Sequence, residues 1–188
     1  MSRTFQYATY DGIRRLVDTG DLVFFAGNGF ISRLIRFATL SPYSHVAIVL
    51  RTAANDRVTL MESTSLMKGV RGVSMTYLSE RLKDYEGRAD IAILSKDARA
   101  TLNAEACRDF LYRCVGKPYD TRGAFWAGVG QLFRIPGKER LDSLFCSELA
   151  DAAHRAGGLC VGGDHTPTPE ELAQRPIIGA FYRVKEAA

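Results

Sequence analysis

The sequence is poor in the features that would place a protein at once. Its four cysteines, Cys107, Cys114, Cys146 and Cys160, form no C-x-x-C pair, which argues against a zinc site. Histidine occurs three times only, at His45, His154 and His165. There is no basic run, and 25 Lys and Arg against 21 Asp and Glu leave a net charge of +4, too small to imply a nucleic-acid partner. The opening MSRTFQYATYDGIRR holds neither the apolar core of a signal peptide nor a membrane span, so a cytoplasmic setting with reduced thiols is expected. Internal repeats, linkers and low-complexity segments are lacking as well. What is present is ordinary globular composition: 188 residues, 46% hydrophobic and 24% charged. That excludes a disordered chain and predicts one domain over residues 1–188 with a sizeable core.

Periodicity divides the chain into strands and helices. A short helix is expected over 10–18 with Ile13, Leu16 and Val17 inward, followed by a fully apolar strand, GDLVFFAG (20–27). FISRLIRFATL (30–40) has the spacing of an amphipathic helix, with Phe30, Ile31, Leu34, Ile35 and Ala38 predicted to face the core and Arg33 and Arg36 opposite. SHVAIVLR (44–51) and RVTLMES (57–63) read as an antiparallel hairpin. GVRGVSMTYL (69–78) reads as an edge strand or loop leading into a short charged helix, and RADIAILS (88–95) as a further strand. A helix over 100–116 would bury Cys107, Phe110, Leu111 and Cys114. TRGAFWAGVGQLFRI (121–135) is apolar and broken by glycines, a helix or a loop lining a cavity. Thr168 can cap a short helix begun by Pro169, and IIGAFYRV ends the chain as a strand. The expected class is α+β around a mostly antiparallel sheet.

The stretch with most chemical content is SLFCSELADAAHRAGG, residues 143–158. Ser143 is a plausible N-cap, and Gly157-Gly158 close the helix. Phe145, Leu149, Ala152, Ala153 and Ala156 make an apolar stripe, with Ser147, Asp151, His154 and Arg155 expected toward solvent. Cys146 falls in the first turn, where unpaired N–H groups and partial positive charge favour a thiolate and can receive an oxyanion. Most cysteines are simply packed in cores; this one stands out by position.

A thiolate nucleophile needs a base. His154 lies eight residues along the same helix, about 12 Å away along the axis, and His165 sits in a Gly/Pro-rich loop. His45 opens an apolar strand and is rigidly placed to meet the helix N-terminus. Glu62 ends the partner strand, where the hairpin brings it nearly opposite His45, and a carboxylate there can orient the imidazole. A satisfied core histidine and an exposed strand-end charge are the plainer alternatives.

Cysteine at a helix start, histidine on a strand and a polar residue on the next strand resemble the papain-like arrangement. The motifs GDLVFF, SPYSHVAIVL, the ES of MESTS, GKPYD and FCSELA, in that order, resemble the circularly permuted NlpC/P60 superfamily, its YiiX-like and YaeF-like proteins. The order His45, Glu62, Cys146 is the permuted one, and the likeness runs from about Gly20 to about Ala150. The resemblance implies a permuted papain-like fold and a thiol hydrolase acting on an amide or ester bond, with Cys146 as nucleophile, His45 as base and Glu62 as orienting residue. It also matches Tyr119 to the tyrosine near the cysteine in such proteins, which makes Tyr119 and Ser147 candidates for substrate or oxyanion contact; a turn aromatic packed on the sheet is the plainer alternative for Tyr119. No metal or organic cofactor is implied. The expected substrate is a small amide, ester or peptide, with an apolar acyl or lipid group favoured because the segments leading into both site elements are rich in Phe, Ile and Leu. Family members often work in the cell envelope, so an envelope-associated or phage-encoded role is the alternative to the cytoplasmic one. The rival function is a non-catalytic domain of the same fold that binds a hydrophobic or lipid ligand.

Overall fold

The computed structural model describes residues 3–38, 40–52, 57–67, 70–117, 146–159 and 165–185. Among them seven strands build one sheet: β1 (Phe5–Tyr7), β2 (Leu22–Gly27), β3 (His45–Thr52), β4 (Arg57–Met67), β5 (Val70–Tyr77), β6 (Gly87–Leu94) and β7 (Ile178–Lys185). The spatial order is β1-β7-β6-β2-β3-β4-β5. All pairings are antiparallel except β1 on β7. The described helices are α1 (Tyr10–Ile13), α2 (Phe30–Ala38), α3 (Leu78–Lys83), α4 (Lys96–Thr101), α5 (Ala104–Cys114), α6 (Cys146–Ala156) and α7 (Pro169–Ala173). The class is α+β with a mostly antiparallel sheet.

The central strands are apolar throughout because both sheet faces are covered. Side chains alternate along a strand, so Leu22, Phe24, Val46, Ile48 and Leu50 enter a core with Leu111 of α5, Leu149 and Ala153 of α6 and Leu172 of α7. Val23, Phe25, Ala47 and Val49 enter a second core with Ile13, Leu78 and Leu82. The hairpin read from the sequence is present, with Ile48 paired to Met61 and Thr52 to Arg57. β5 is an edge strand, as β1 is at the other side, and Val73 exchanges hydrogen bonds along its outer side with the carbonyl of Lys117 and the N–H of Gly116. Thr168 caps α7 through a complete capping box with Glu171.

Several expectations fail for local reasons. α1 ends at Ile13, so Leu16 lies in the following turn and is exposed, although Ile13 and Val17 are buried. The expected helix over 100–116 is two: Leu102 turns extended, and the Asn103 side chain accepts the Ala106 N–H to start α5 afresh. β1 carries no strand signal, since its three residues pair only with the end of the chain. The face of α6 expected in water is largely buried. Asp151 pairs with Arg155 and Arg175, and His154, with no exposure, donates through Nε2 to the Gly20 carbonyl at 2.7 Å. Burial and the nearby Arg175, only partly offset by that carbonyl and Asp151, hold His154 below its ordinary pKa and therefore neutral. α2, finally, does not bury its expected face as a whole: Phe30 and Leu34 are exposed and Ile35 is half-buried, and Phe37 is exposed beside them. Ser143, Phe145, Cys160 and the segment 121–135 lie outside the described residues.

Asp21 ties β2 to its neighbours. Its buried carboxylate accepts N–H groups from Leu94 at 2.8 Å and Asp18 at 2.7 Å and pairs with Arg99 of α4. Burial, partly offset by Arg99 and those N–H groups, pushes its pKa from 3.8 up to about 6. An acid raised in this way favours the fold most when protonated, and that contribution is lost as pH rises through about 6. Removing the arginine strands the charge only where the charge exists. Arg99→Ala is therefore expected to lower stability by about 3 kcal/mol at pH 8 and much less at pH 4, measured by urea unfolding. Equal losses at both pH values would contradict this.

Candidate active site

β3 begins at His45 because the segment before it is pinned on three sides. Ser44 N–H donates to the Phe25 carbonyl at 2.9 Å, Tyr43 N–H donates to Ser41 Oγ at 3.0 Å, and the Tyr43 hydroxyl donates to Asp90 Oδ2 at 2.8 Å. Asp90 is held in turn by Arg183, and the Tyr43 ring packs on Phe24 at 4.9 Å. This is the structural content of the SPYSH motif.

His45 stands opposite Phe25 on β2, its ring 5.9 Å from the Phe25 ring. The β3–β4 register, fixed by Ile48 with Met61, runs Glu62 toward Ala47 rather than directly to His45. An offset of two residues keeps the same face. The side chains therefore meet diagonally, with His45 Nε2 at 2.9 Å from Glu62 Oε2. Glu62 has no exposure, whereas the His45 side chain keeps 13%.

Cys146 opens α6 and packs beside the core that contains Val46, while His45 sits beside Phe25 of the other core. They meet at the start of β3, where the strand no longer separates the two layers. With Nε2 committed to Glu62, Nδ1 is left for the thiol, and the two side chains share a hydrogen bond. The sulfur also receives the backbone N–H groups of Val46 and Ser147. Ser147 is buried, and its contribution at this point is its main-chain N–H.

The charges follow from these contacts. Burial pushes the Cys146 thiol up, but His45 and the two N–H groups outweigh it and hold the pKa below the ordinary value. Burial pulls His45 down, but Cys146 and then Glu62 raise it to about 9. For Glu62 burial is likewise overcome, by His45 and Arg81, and its carboxyl stays below the usual range. Together these contacts favour the thiolate–imidazolium form of the Cys146–His45 pair beside an ionised carboxylate. Cys107, by contrast, is buried with its pKa pushed up to about 11, and burial raises Cys114 as well.

Arg81 is the participant that the sequence reading missed. Its Nε donates to Glu62 Oε1 at 3.0 Å and Oε2 at 3.2 Å, and its guanidinium lies over the rings of Phe25 and Tyr85 at 4.7 and 4.9 Å. A weak signal existed, because Arg81 lies between Leu78 and Leu82 on the inward side of α3. His165 is well exposed and pairs with Glu171 at 3.1 Å, apart from the cluster. Tyr119 lies outside the described residues.

No protein-family profile matches the sequence, and no curated protein matches it. Among solved structures, the chain is similar to the metalloprotein yiiX from Escherichia coli O157:H7, DUF1105, with a TM-score of 0.59. The match covers 90% of this chain and 97% of that one, at 20% sequence identity. The fold is YiiX-like. A likeness at that identity speaks for the fold and leaves the chemistry to the residues just described.

The ionised cluster gives a direct expectation. At pH 7 iodoacetamide should modify Cys146 roughly 10²-fold faster than Cys107 or Cys114, followed by peptide mass spectrometry. In His45→Ala the midpoint of the Cys146 alkylation profile should rise clearly above that of the wild type. An unmoved midpoint would show that the imidazole does not set the thiol's charge.

Proposed function

We propose that this chain is a cysteine hydrolase of the circularly permuted papain-like NlpC/P60 type, cleaving an amide or ester bond through Cys146, His45 and Glu62. The observation that carries the reading is the continuous line Cys146–His45–Glu62–Arg81, with the thiol lowered and the imidazole raised. A binding domain has no use for that polarisation.

In the proposed reaction the Cys146 thiolate attacks the carbonyl carbon, and the carbonyl electron pair moves to oxygen. Backbone N–H groups of the first turn of α6 would serve as oxyanion donors. As the tetrahedral species collapses, the imidazolium of His45 passes its proton to the leaving amine or alkoxide, leaving a thioester on Cys146. Neutral His45 then takes a proton from water, whose oxygen attacks the thioester carbon; collapse breaks the C–S bond, expels the Cys146 thiolate and releases the acid, which leaves the thiolate–imidazolium pair as at the start. Glu62 holds the ring orientation and stabilises the imidazolium throughout, and Arg81 holds Glu62 ionised. The exposed Phe30, Leu34 and Phe37 on the segment leading to His45 favour a substrate whose acyl side is apolar.

The structural neighbour is called a metalloprotein, so the fit of a metal here needs testing. Among the described residues no three His, Cys, Asp or Glu side chains converge as a ligand set. Within the cluster, both Glu62 oxygens already accept from Arg81 and one also faces His45 Nε2. A guanidinium on the carboxylate would oppose a cation there. These residues do not fit a metal centre.

Cys146→Ala should abolish turnover of a panel of acyl esters and amides while leaving the unfolding curve unchanged. His45→Ala should cost at least about 10²-fold in kcat. Glu62→Gln should be milder, because an amide oxygen can still hold the ring. A Cys146→Ala protein with most of its activity, or His165→Ala as the more damaging histidine change, would overturn the assignment.

A further inference from the structure

α2 is an amphipathic helix mounted the wrong way round for a water-facing surface. Phe30, Leu34 and Phe37 fall on one stripe and are 80%, 55% and 80% exposed, and Leu40 just beyond is 85% exposed. The side that meets the protein carries polar groups as well as Ile35. Arg36 Nη2 donates to the Gly27 carbonyl at 3.4 Å, and Ser32 lies so close over Gly27 that a Cβ there would stand 2.6 Å from its Oγ. A solitary exposed apolar side chain is ordinary, but four on one short segment mark a contact surface.

Charge decides among the possible occupants. Arg33 is exposed beside the stripe, and no Asp or Glu occurs from Leu22 to Asn55. A second copy docked face to face would bring like arginines together, which opposes self-association. Apolar side chains flanked by arginine, with no acid nearby, match the boundary between acyl chains and anionic headgroups. The position fits as well: α2 follows the end of β2 and precedes β3, so it lies at the sheet end that carries His45.

We propose that α2 is a membrane-docking helix that seats Phe30, Leu34, Phe37 and Leu40 in the interface of an anionic bilayer, with Arg33 at the headgroups. The attachment is peripheral: no described helix is long and apolar enough to cross a membrane. Docking rests on the placement of α2 and stands apart from the hydrolase reading. If both hold, the cluster at His45 is presented to lipid-borne acyl groups.

The test is co-sedimentation of the full chain with vesicles of phosphatidylcholine alone and of phosphatidylcholine with phosphatidylglycerol. The wild type should bind the anionic vesicles and lose binding at high salt. Phe30→Ser with Phe37→Ser should weaken binding at least about tenfold, and Arg33→Gln about fivefold, with unfolding curves unchanged. Cys146→Ala should bind undiminished, so the two readings fail separately. Absence of wild-type binding, or binding that the phenylalanine variant retains, would overturn the proposal. So would a marked loss of stability in that variant, since the stripe would then be covered by the chain itself. A wild-type dimer that the variant abolishes would assign the face to a second copy instead.

Discussion

A carboxylate without access to water, Glu62, is the constraint around which the site is arranged. An isolated buried carboxylate would take up a proton, because desolvation penalises the charge. Here His45 and Arg81 overcome that penalty and keep the group ionised. Its negative charge helps hold the imidazole protonated, and the imidazolium in turn lowers the thiol of Cys146. Each link needs a different element: α3 brings Arg81, β4 brings Glu62, β3 brings His45 and α6 brings Cys146. The sheet register and the packing of α6 on β3 are therefore chemical requirements as much as structural ones.

The same logic explains why the surroundings of the cluster are rigid. Arg81 is sandwiched against Phe25 and Tyr85 as well as hydrogen-bonded to Glu62, which restricts a side chain that would otherwise lose much entropy on ordering. Tyr43 and Ser44 fix the backbone just ahead of His45 by bonds to β6 and β2. Further away, Asp21 and His154 satisfy the polar groups where β2 starts, the first through Leu94 and Arg99 and the second through the Gly20 carbonyl.

How much of this was legible in the sequence depended on whether a signal was local. The strands β2, β3 and β4 were legible because continuous apolar runs between turn residues leave few other options, and the hairpin followed from their spacing. Cys146 could be singled out by its helical position and His45 by its place at a strand start. The pairing of Glu62 with His45 was legible to within two residues, which was sufficient because the offset preserves the face. Arg81 was not, since an arginine on a charged helix is usually solvated and only the tertiary placement of α3 turns it inward. The burial of Asp151 and His154 was hidden likewise: polarity predicts solvent unless partners such as Arg175 and the Gly20 carbonyl come from distant segments. The orientation of α2 is the clearest failure, since periodicity reveals an apolar face without saying what the face meets.

The central claim is that Cys146 forms a covalent acyl intermediate. Its most direct measurement is the intact mass of the protein after brief mixing with an activated acyl ester, quenched in acid to preserve a thioester. A mass increase of one acyl group is expected, located on the Cys146 peptide, absent from Cys146→Ala and longer-lived in His45→Ala acylated with a thioester donor, where water is no longer activated. Turnover of the ester with no acyl group ever found on Cys146, or an adduct that forms equally in Cys146→Ala, would contradict it.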